Sequence, residues 1–203
     1  MKKSIVTLLF ASLLLAVTGL AQAAPLTDVV QAPTGYFVPS DALKYSTPYY
    51  RDQYQDWGWQ HSALAVDPNT ITSATLNISA FDVDNASSAS WYEHDLIYAY
   101  DGANKVLLGE LAGADDIWSY TTFTLAPNFY DDIVTGLKIW MDIDTTSGGN
   151  WLVTLSKSAL SIDGGSIPNP NPNPNPTVPI PGAILLFAPG LAGLAALRRR
   201  MSR

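Results

Sequence analysis

Residues 74–80 read ATLNISA, a sequence in which small or apolar side chains alternate with polar ones. Side chains two residues apart on an extended strand face the same side. Ala74, Leu76 and Ile78 therefore predict a strand with one buried face and one solvent face. The same period of two returns in residues 137–144, where apolar residues alternate with Lys, Trp and Asp.

The strand pattern extends from there in both directions. Residues 95–100 and 105–111 flank Asp101-Gly102-Ala103-Asn104, a turn-forming stretch, and together they predict a β-hairpin. Residues 151–162 indicate one strand whose phase slips near Lys157, as a β-bulge would cause. Two further strand-like stretches are rich in aromatic residues, 49–65 and 118–125.

The domain organisation follows from these strands and from the stretches between them. No long pattern of period 3.6 is found in residues 24–165, so we predict an all-β domain there. Seven or eight strands at this spacing favour a single antiparallel β-sandwich with a jelly-roll-like topology. Residues 26–44, which contain two prolines, are expected to form an irregular lead-in. Residues 166–177 are a predicted linker, because their Pro-Asn alternation cannot pair in a sheet and favours an extended polyproline conformation.

The C-terminal segment, residues 178–203, has the composition of a membrane-inserted signal. Residues 180–197 carry no charge, and a helix of that length spans about 27 Å, close to the thickness of a bilayer's hydrocarbon core. Arg198, Arg199 and Arg200 follow directly, and a basic cluster at a membrane edge indicates the cytoplasmic side. We therefore expect a transmembrane helix whose C-terminal end lies inside the cell.

The motif Val178-Pro179-Ile180-Pro181, followed by a glycine-rich apolar segment and a terminal arginine cluster, resembles the sorting signal of PEP-CTERM proteins, the substrates of exosortases. That family commonly has Glu at the position of Ile180. The resemblance implies retention in the inner membrane and processing near this motif by an exosortase-like membrane protease. It also implies a Gram-negative host that makes an exopolysaccharide, and a role in the extracellular matrix or biofilm. A single-span anchor that is never processed would show the same apolarity and charge.

The N-terminus predicts export. Two lysines precede an apolar run, and Ala21-Gln22-Ala23 is a small-x-small site for signal peptidase, so residues 1–23 are a predicted signal peptide and the mature chain would begin at Ala24. An uncleaved anchor is the alternative. With export at one end and arginines held inside at the other, residues 24–177 would lie in the periplasm during sorting and later at the cell surface or in the matrix.

Composition limits the possible partners. Residues 24–177 carry eighteen Asp and Glu against five Lys and Arg, a net charge of −13. Such a surface repels phosphate backbones, which argues against nucleic acid and fits metal cations better. The chain has no cysteine, so disulfides, thiolate zinc sites and cysteine nucleophiles are excluded.

The candidate cation ligands are two Asp-x-Asp pairs: Asp82 with Asp84, and Asp142 with Asp144. Carboxylates two residues apart on a strand project from one face, and oxygen ligands of this kind suit Ca²⁺. Glu93 and Asp95 form a third pair of this spacing. A solvated acidic strand face would have the same spacing, so a Ca²⁺ site and a plain acidic face stay open as alternatives.

Aromatic residues supply a second kind of candidate site among the chain's six tryptophans and ten tyrosines. Trp140 lies on the polar side of its strand, and Trp57 and Trp59 share one face of an otherwise polar run. Exposed rings beside acids and amides are suited to stacking on sugars. These three residues are therefore candidate carbohydrate contacts, with exopolysaccharide as the ligand. A domain that buries its aromatics would have the same composition.

Motifs for catalysis are not found in the sequence. No serine lies in a Gly-x-Ser-x-Gly context, and no phosphate-binding loop or histidine-based zinc motif is present. Eighteen acids would supply a carboxylate pair at glycosidase spacing by chance, so a secreted glycan-active hydrolase is the alternative. The sequence favours an exported, surface-anchored, non-catalytic protein with a structural or carbohydrate-binding role.

Overall fold

In the computed structural model of the chain, residues 24–85, 92–144 and 150–167 are described. The predicted signal peptide and the predicted sorting signal lie outside these residues. Within the described ranges, no helix is both long and apolar enough to cross a bilayer. The strands are β1 (Leu26–Gln31), β2 (Arg51–Asp52), β3 (Trp57–Gln60), β4 (Ala74–Phe81), β5 (Leu96–Asp101), β6 (Asn104–Glu110), β7 (Trp118–Thr124), β8 (Lys138–Asp142) and β9 (Leu152–Ile162).

Helical structure in the described residues is short. The α-helix α1 spans Tyr130–Thr135 and follows directly on a 3₁₀ turn, Pro127–Phe129. Two further 3₁₀ turns occupy Asp41–Leu43 and Pro68–Thr70. The protein is therefore all-β with antiparallel sheets, as the alternating pattern predicted.

Two antiparallel sheets contain the strands. Sheet I has the order β1-β9-β4-β7, with β2 pairing against the start of β9, and sheet II has the order β3-β8-β5-β6. Both sheets contribute to one hydrophobic cluster, in which Leu76 and Ile78 of β4 are buried together with Ile139 and Met141 of β8. The alternating residues that predicted these strands are thus the residues that form the core.

Strand β4 differs from the sequence prediction on its second face. Asn77 and Ser79 were expected to face solvent, but both are buried. Strand β4 pairs with β9 on one side and β7 on the other, and Asn77 Oδ1 accepts a hydrogen bond of 2.7 Å from Thr122 Oγ1 of β7. The buried amide of Asn77 thus bonds to a neighbouring strand instead of to solvent.

Several predicted elements are confirmed. Strands β5 and β6 form the predicted hairpin, closed at the Asp101 and Asn104 pair. Strand β9 is one long strand, and its register against β4 shifts between the partners Lys157 and Leu155, which places the predicted bulge. Strand β7 lies within the aromatic stretch that predicted it.

Other expectations are corrected. The predicted irregular lead-in contains β1, which pairs along its whole length with β9. The strand-like stretch 49–65 contains only the short strands β2 and β3, and α1 was not foreseen. An edge strand such as β1 depends on a partner distant in sequence, so its own six residues give a weak local signal.

The chain enters and leaves the sheets at one end. Leu26 at the start of β1 pairs with Ile162 at the end of β9. Phe81 and Trp118, at the end of β4 and the start of β7, pair at the opposite end of sheet I. The eight residues of β4 separate these ends by about 26 Å. We call them the terminal end, marked by Leu26 and Ile162, and the acidic end, formed by the loops that follow β4, β6 and β8.

Candidate cation-binding site

Carboxylates are concentrated at the acidic end. Ten of the chain's eighteen acidic residues lie in its loops or at the adjoining strand ends. They are Asp56, Asp82, Asp84, Glu93, Asp95, Glu110, Asp115, Asp116, Asp142 and Asp144. The antiparallel register creates this concentration, because β4, β6 and β8 all finish at the same end of the molecule.

Three of these carboxylates form a surface cluster, Asp82, Asp84 and Asp115, with one oxygen of each within 4.8 Å of the others. Asp82 has a left-handed backbone, with φ of 66°, directly after β4. Its Oδ1 accepts a hydrogen bond of 2.8 Å from the Asp116 amide, and its Oδ2 accepts one of 2.5 Å from Tyr50 Oη. These two bonds fix the direction of the Asp82 carboxylate within the cluster.

The surface cluster differs from the predicted ligand set in two ways. Asp82 and Asp84 meet, but neither lies on a strand, since β4 ends at Phe81. Asp115, which the sequence analysis missed, joins them because β4 pairs with β7 and the loop before β7 therefore lies beside them. Only the pairing of strands distant in sequence could have identified this third carboxylate.

Asp142 and Asp144 do not belong to this cluster. Asp142 forms an ion pair of 3.0 Å with Lys105 Nζ and accepts a hydrogen bond from Trp140 Nε1. Asp144 is buried and accepts a hydrogen bond of 3.0 Å from the His94 amide. Of the two predicted Asp-x-Asp pairs, Asp82 and Asp84 therefore lie together in the surface cluster, whereas Asp142 and Asp144 have separate partners.

A second group of carboxylates, Glu93 and Asp95, lies in the interior beside the surface cluster. Both side chains are 0 % exposed. Glu93 Oε2 accepts a hydrogen bond of 2.9 Å from the Asp84 amide, and Asp95 Oδ1 accepts one of 3.4 Å from the Asp144 amide. Burial raises the pKa of Glu93, and the neighbouring charge of Asp95 raises it further. Burial likewise raises the pKa of Asp95.

The predicted aromatic contacts are mostly in the core. Trp57 and Trp59 are 6 % and 7 % exposed, and the Phe37 ring packs edge-on against both, with centroids 4.9 and 5.4 Å away. The expectation that these two rings stack on sugars is wrong, because they pack inside the protein. Trp140 is half-buried on the outer face of sheet II, with Lys105 Nζ 5.3 Å from its ring centroid.

A buried hydrogen-bonded chain, which the sequence analysis also missed, joins Asp28, His61 and Ser158. His61 Nδ1 lies 2.9 Å from Asp28 Oδ2, and His61 Nε2 lies 2.9 Å from Ser158 Oγ. The order of groups is that of a serine hydrolase triad. Ser158 is 0 % exposed and His61 is 1 % exposed, so a substrate has no access to the hydroxyl. These hydrogen bonds instead connect β1 and β9 of sheet I to His61, the residue that follows β3 of sheet II.

This network predicts a pH dependence of stability. Burial would raise the pKa of Asp28, but hydrogen bonds from His61 and Ser62 outweigh it and lower that pKa below its ordinary value. A carboxyl with a lowered pKa in the folded state stabilises the fold above its unfolded pKa of about 3.9, and that contribution is lost as the pH falls through the folded pKa. Urea titrations should show Asp28→Asn to be less stable than wild type at pH 6, with the gap narrowing below pH 4. A gap that widens on acidification would contradict the assignment.

No protein-family model and no curated protein sequence matches the chain. Among solved structures, the chain is similar to a latent aurone synthase, a polyphenol oxidase, at a TM-score of 0.39 and 12 % identity, over 68 % of this chain and 29 % of that chain. It is also similar to the coat protein of Tobacco streak virus at a TM-score of 0.30 and 13 % identity, over 76 % of this chain and 94 % of that chain. Likenesses at these scores do not bear on function.

Proposed function

We propose that the chain is an exported, surface-anchored, non-catalytic β-sandwich module, sorted by an exosortase-type system, with a structural or carbohydrate-binding role in the extracellular matrix or biofilm. The proposal depends on one observation, that the C-terminal exit of the domain and its cluster of carboxylates lie at opposite ends. The described chain leaves at the terminal end, near Ile162, and the carboxylates lie at the opposite end. A module attached through its C-terminal segment would present its acidic end away from the cell.

The strand pairing supports a jelly-roll form of the sandwich. Four antiparallel pairs are nested in the sequence, so that each pair encloses the one before it, as in one long hairpin. From the innermost outwards they are β5 with β6, β4 with β7, β3 with β8, and β1 with β9. The cross-pairs of β4 with β9 and of β5 with β8 then fold that hairpin into two sheets. A jelly roll is this arrangement of eight strands in two facing sheets.

The acidic end suggests how the module would act in a matrix. A Ca²⁺ ion held by Asp82, Asp84 and Asp115 would offset the repulsion among them, and its remaining coordination positions would be open to oxygen atoms of an exopolysaccharide. Trp140 is the one predicted sugar contact that stays partly accessible. A cation-bridged contact needs no catalytic group, which is consistent with a binding or structural role.

The geometry of the described residues gives little support to the alternative, a glycan-active hydrolase. Glu93 has the raised pKa of a general acid, but its carboxyl is enclosed in the interior. Ser158 is likewise enclosed. A general acid or nucleophile has to reach the scissile bond, and neither residue is exposed to a polysaccharide.

Fractionation of a Gram-negative host that contains an exosortase tests the proposal. The motif variant Pro179→Ala/Pro181→Ala should remain in the inner membrane with its arginine tail, whereas wild type should appear at the cell surface or in the matrix. The matched control, Pro172→Ala/Pro174→Ala in the predicted linker, changes the same number of prolines and should be sorted like wild type. Identical distribution of motif variant and wild type would overturn the proposed sorting.

A further inference from the structure

Among the residues that the structure describes, the carboxylates of Glu93 and Asp95 have no counter-charge. In the described ranges, side-chain ion pairs join Lys44 with Asp41 and Lys105 with Asp142, and the two histidines, His61 and His94, lie against Asp28 and Glu110. Glu93 and Asp95 take part in none of these pairs. Both are fully enclosed, so water does not compensate their charge either.

One oxygen of each carboxylate also has no donor in the described part of the chain. Glu93 Oε1 and Asp95 Oδ2 accept no hydrogen bond from any other group that the structure describes, and the two carboxyls can bond to each other only through a proton that one of them holds. Two ionised carboxylates have no proton to share. An enclosed carboxylate without a counter-charge is strongly unfavourable, and two in contact are more so, so a positive species is required between them.

A single proton or a metal cation could fill that position. A proton shared by the two oxygens would leave one negative charge in the interior, and the nearby charges of Asp84 and Asp144 oppose that remaining charge. A divalent cation would neutralise both carboxylates and would also be attracted by those two neighbours. The number of acids around the pair therefore favours a cation over a proton.

The donor atoms define the kind of cation. Both free donors are carboxylate oxygens, which suit hard cations such as Ca²⁺ and Mg²⁺. Mg²⁺ dehydrates reluctantly and usually keeps several waters, whereas Ca²⁺ accepts irregular coordination by protein oxygens. An enclosed position between two carboxylates is therefore better suited to Ca²⁺.

We propose that Glu93 Oε1 and Asp95 Oδ2 bind one divalent cation of the Ca²⁺ class in the interior, at a position distinct from the surface cluster of Asp82, Asp84 and Asp115. Glu93 lies in the loop after β4, and Asp95 directly precedes β5. Strand β4 belongs to sheet I and β5 to sheet II. The ion would thus fix the crossing from one sheet to the other. The proposal goes beyond the proposed function, since it depends on neither export nor sorting.

Thermal unfolding tests the interior site. The full chain is first treated with EDTA, and its Tm is then measured at increasing concentrations of CaCl₂. Saturation at about 100 times the dissociation constant should raise the Tm of wild type by about 5–10 °C. The near-isosteric variant Glu93→Gln/Asp95→Asn should lose the part of this response that the interior ion supplies, because amides do not neutralise the ion, and should keep only what the surface cluster contributes. A Tm of wild type that is unchanged up to about 10 mM CaCl₂ would overturn the proposal and leave a shared proton between the two carboxyls.

The surface cluster supplies the matched control. The variant Asp82→Asn/Asp115→Asn removes two carboxylates from that cluster and should still bind one Ca²⁺ per chain in equilibrium dialysis. Loss of all binding in this variant would place the only ion at the surface and overturn the interior site. This measurement does not need Glu93 or Asp95 to be changed, so it decides the question even if the interior variant fails to fold.

Discussion

Replacing Trp57 with alanine should lower the free energy of unfolding by about 3–5 kcal/mol, the usual cost of removing a large aromatic side chain from a packed core. The Trp57 ring lies 5.5 Å from the Tyr36 ring, 4.9 Å from the Phe37 ring and 4.9 Å from the Trp59 ring, measured between centroids. Its removal would therefore leave a cavity bounded by three rings, which cannot collapse without moving β3. Denaturant unfolding followed by far-ultraviolet circular dichroism would measure the loss.

Trp140→Ala is the matched control for this prediction. Trp140 pairs with Gly58 across β3 and β8, so it lies beside Trp57 and Trp59 in the sheet but on the opposite face. It is only half-buried, and its loss should cost about 1 kcal/mol. A larger loss for Trp140→Ala than for Trp57→Ala would contradict the placement of Trp57 in the core.

His61→Ala is expected to have the second large effect, a loss of about 3 kcal/mol in the free energy of unfolding. The imidazole fills a buried position, and both of its nitrogens are hydrogen-bonded, to Asp28 and to Ser158. Truncation leaves the Ser158 hydroxyl enclosed without its histidine partner and removes this hydrogen-bonded connection between the two sheets. The same unfolding measurement at neutral pH would determine the loss.

The chain contains a second histidine that serves as the control. His94 is half-exposed, with its Nδ1 3.2 Å from Glu110 Oε1, and exposed ion pairs contribute little to stability. His94→Ala should therefore change the free energy of unfolding by less than about 1 kcal/mol. Equal losses for the two variants would show that the buried network does not connect the sheets in the way described.

The sequence predicts a strand well where apolar and polar residues alternate strongly. It predicts a strand poorly where the strand depends on pairing with a partner distant in sequence. The alternation around Leu76 and Ile78 identifies β4, because core residues repeat at the period of a strand. It does not reveal that Asn77 is enclosed as well, since this depends on the neighbours β9 and β7. Strand β1 was missed for the same reason: its partner β9 lies at the far end of the domain sequence.

The candidate sites show the same division between local pattern and long-range contact. In Trp57-Gly58-Trp59-Gln60 the alternation correctly places both tryptophans on one face, but a period of two does not say which face is the core. Asp82 and Asp84 are close in sequence and were found, whereas Asp115 reaches them only through the pairing of β4 with β7. The contacts among Asp28, His61 and Ser158 join three distant stretches, so no motif could have identified them.

Intact mass spectrometry of the protein released from the cell surface would show whether the acidic domain is exported and attached through its C-terminal segment. We expect a chain that begins at Ala24 and ends near the motif of residues 178–181, together with any group attached there. A full-length chain from Met1 to Arg203, recovered from the cytosol, would contradict this expectation.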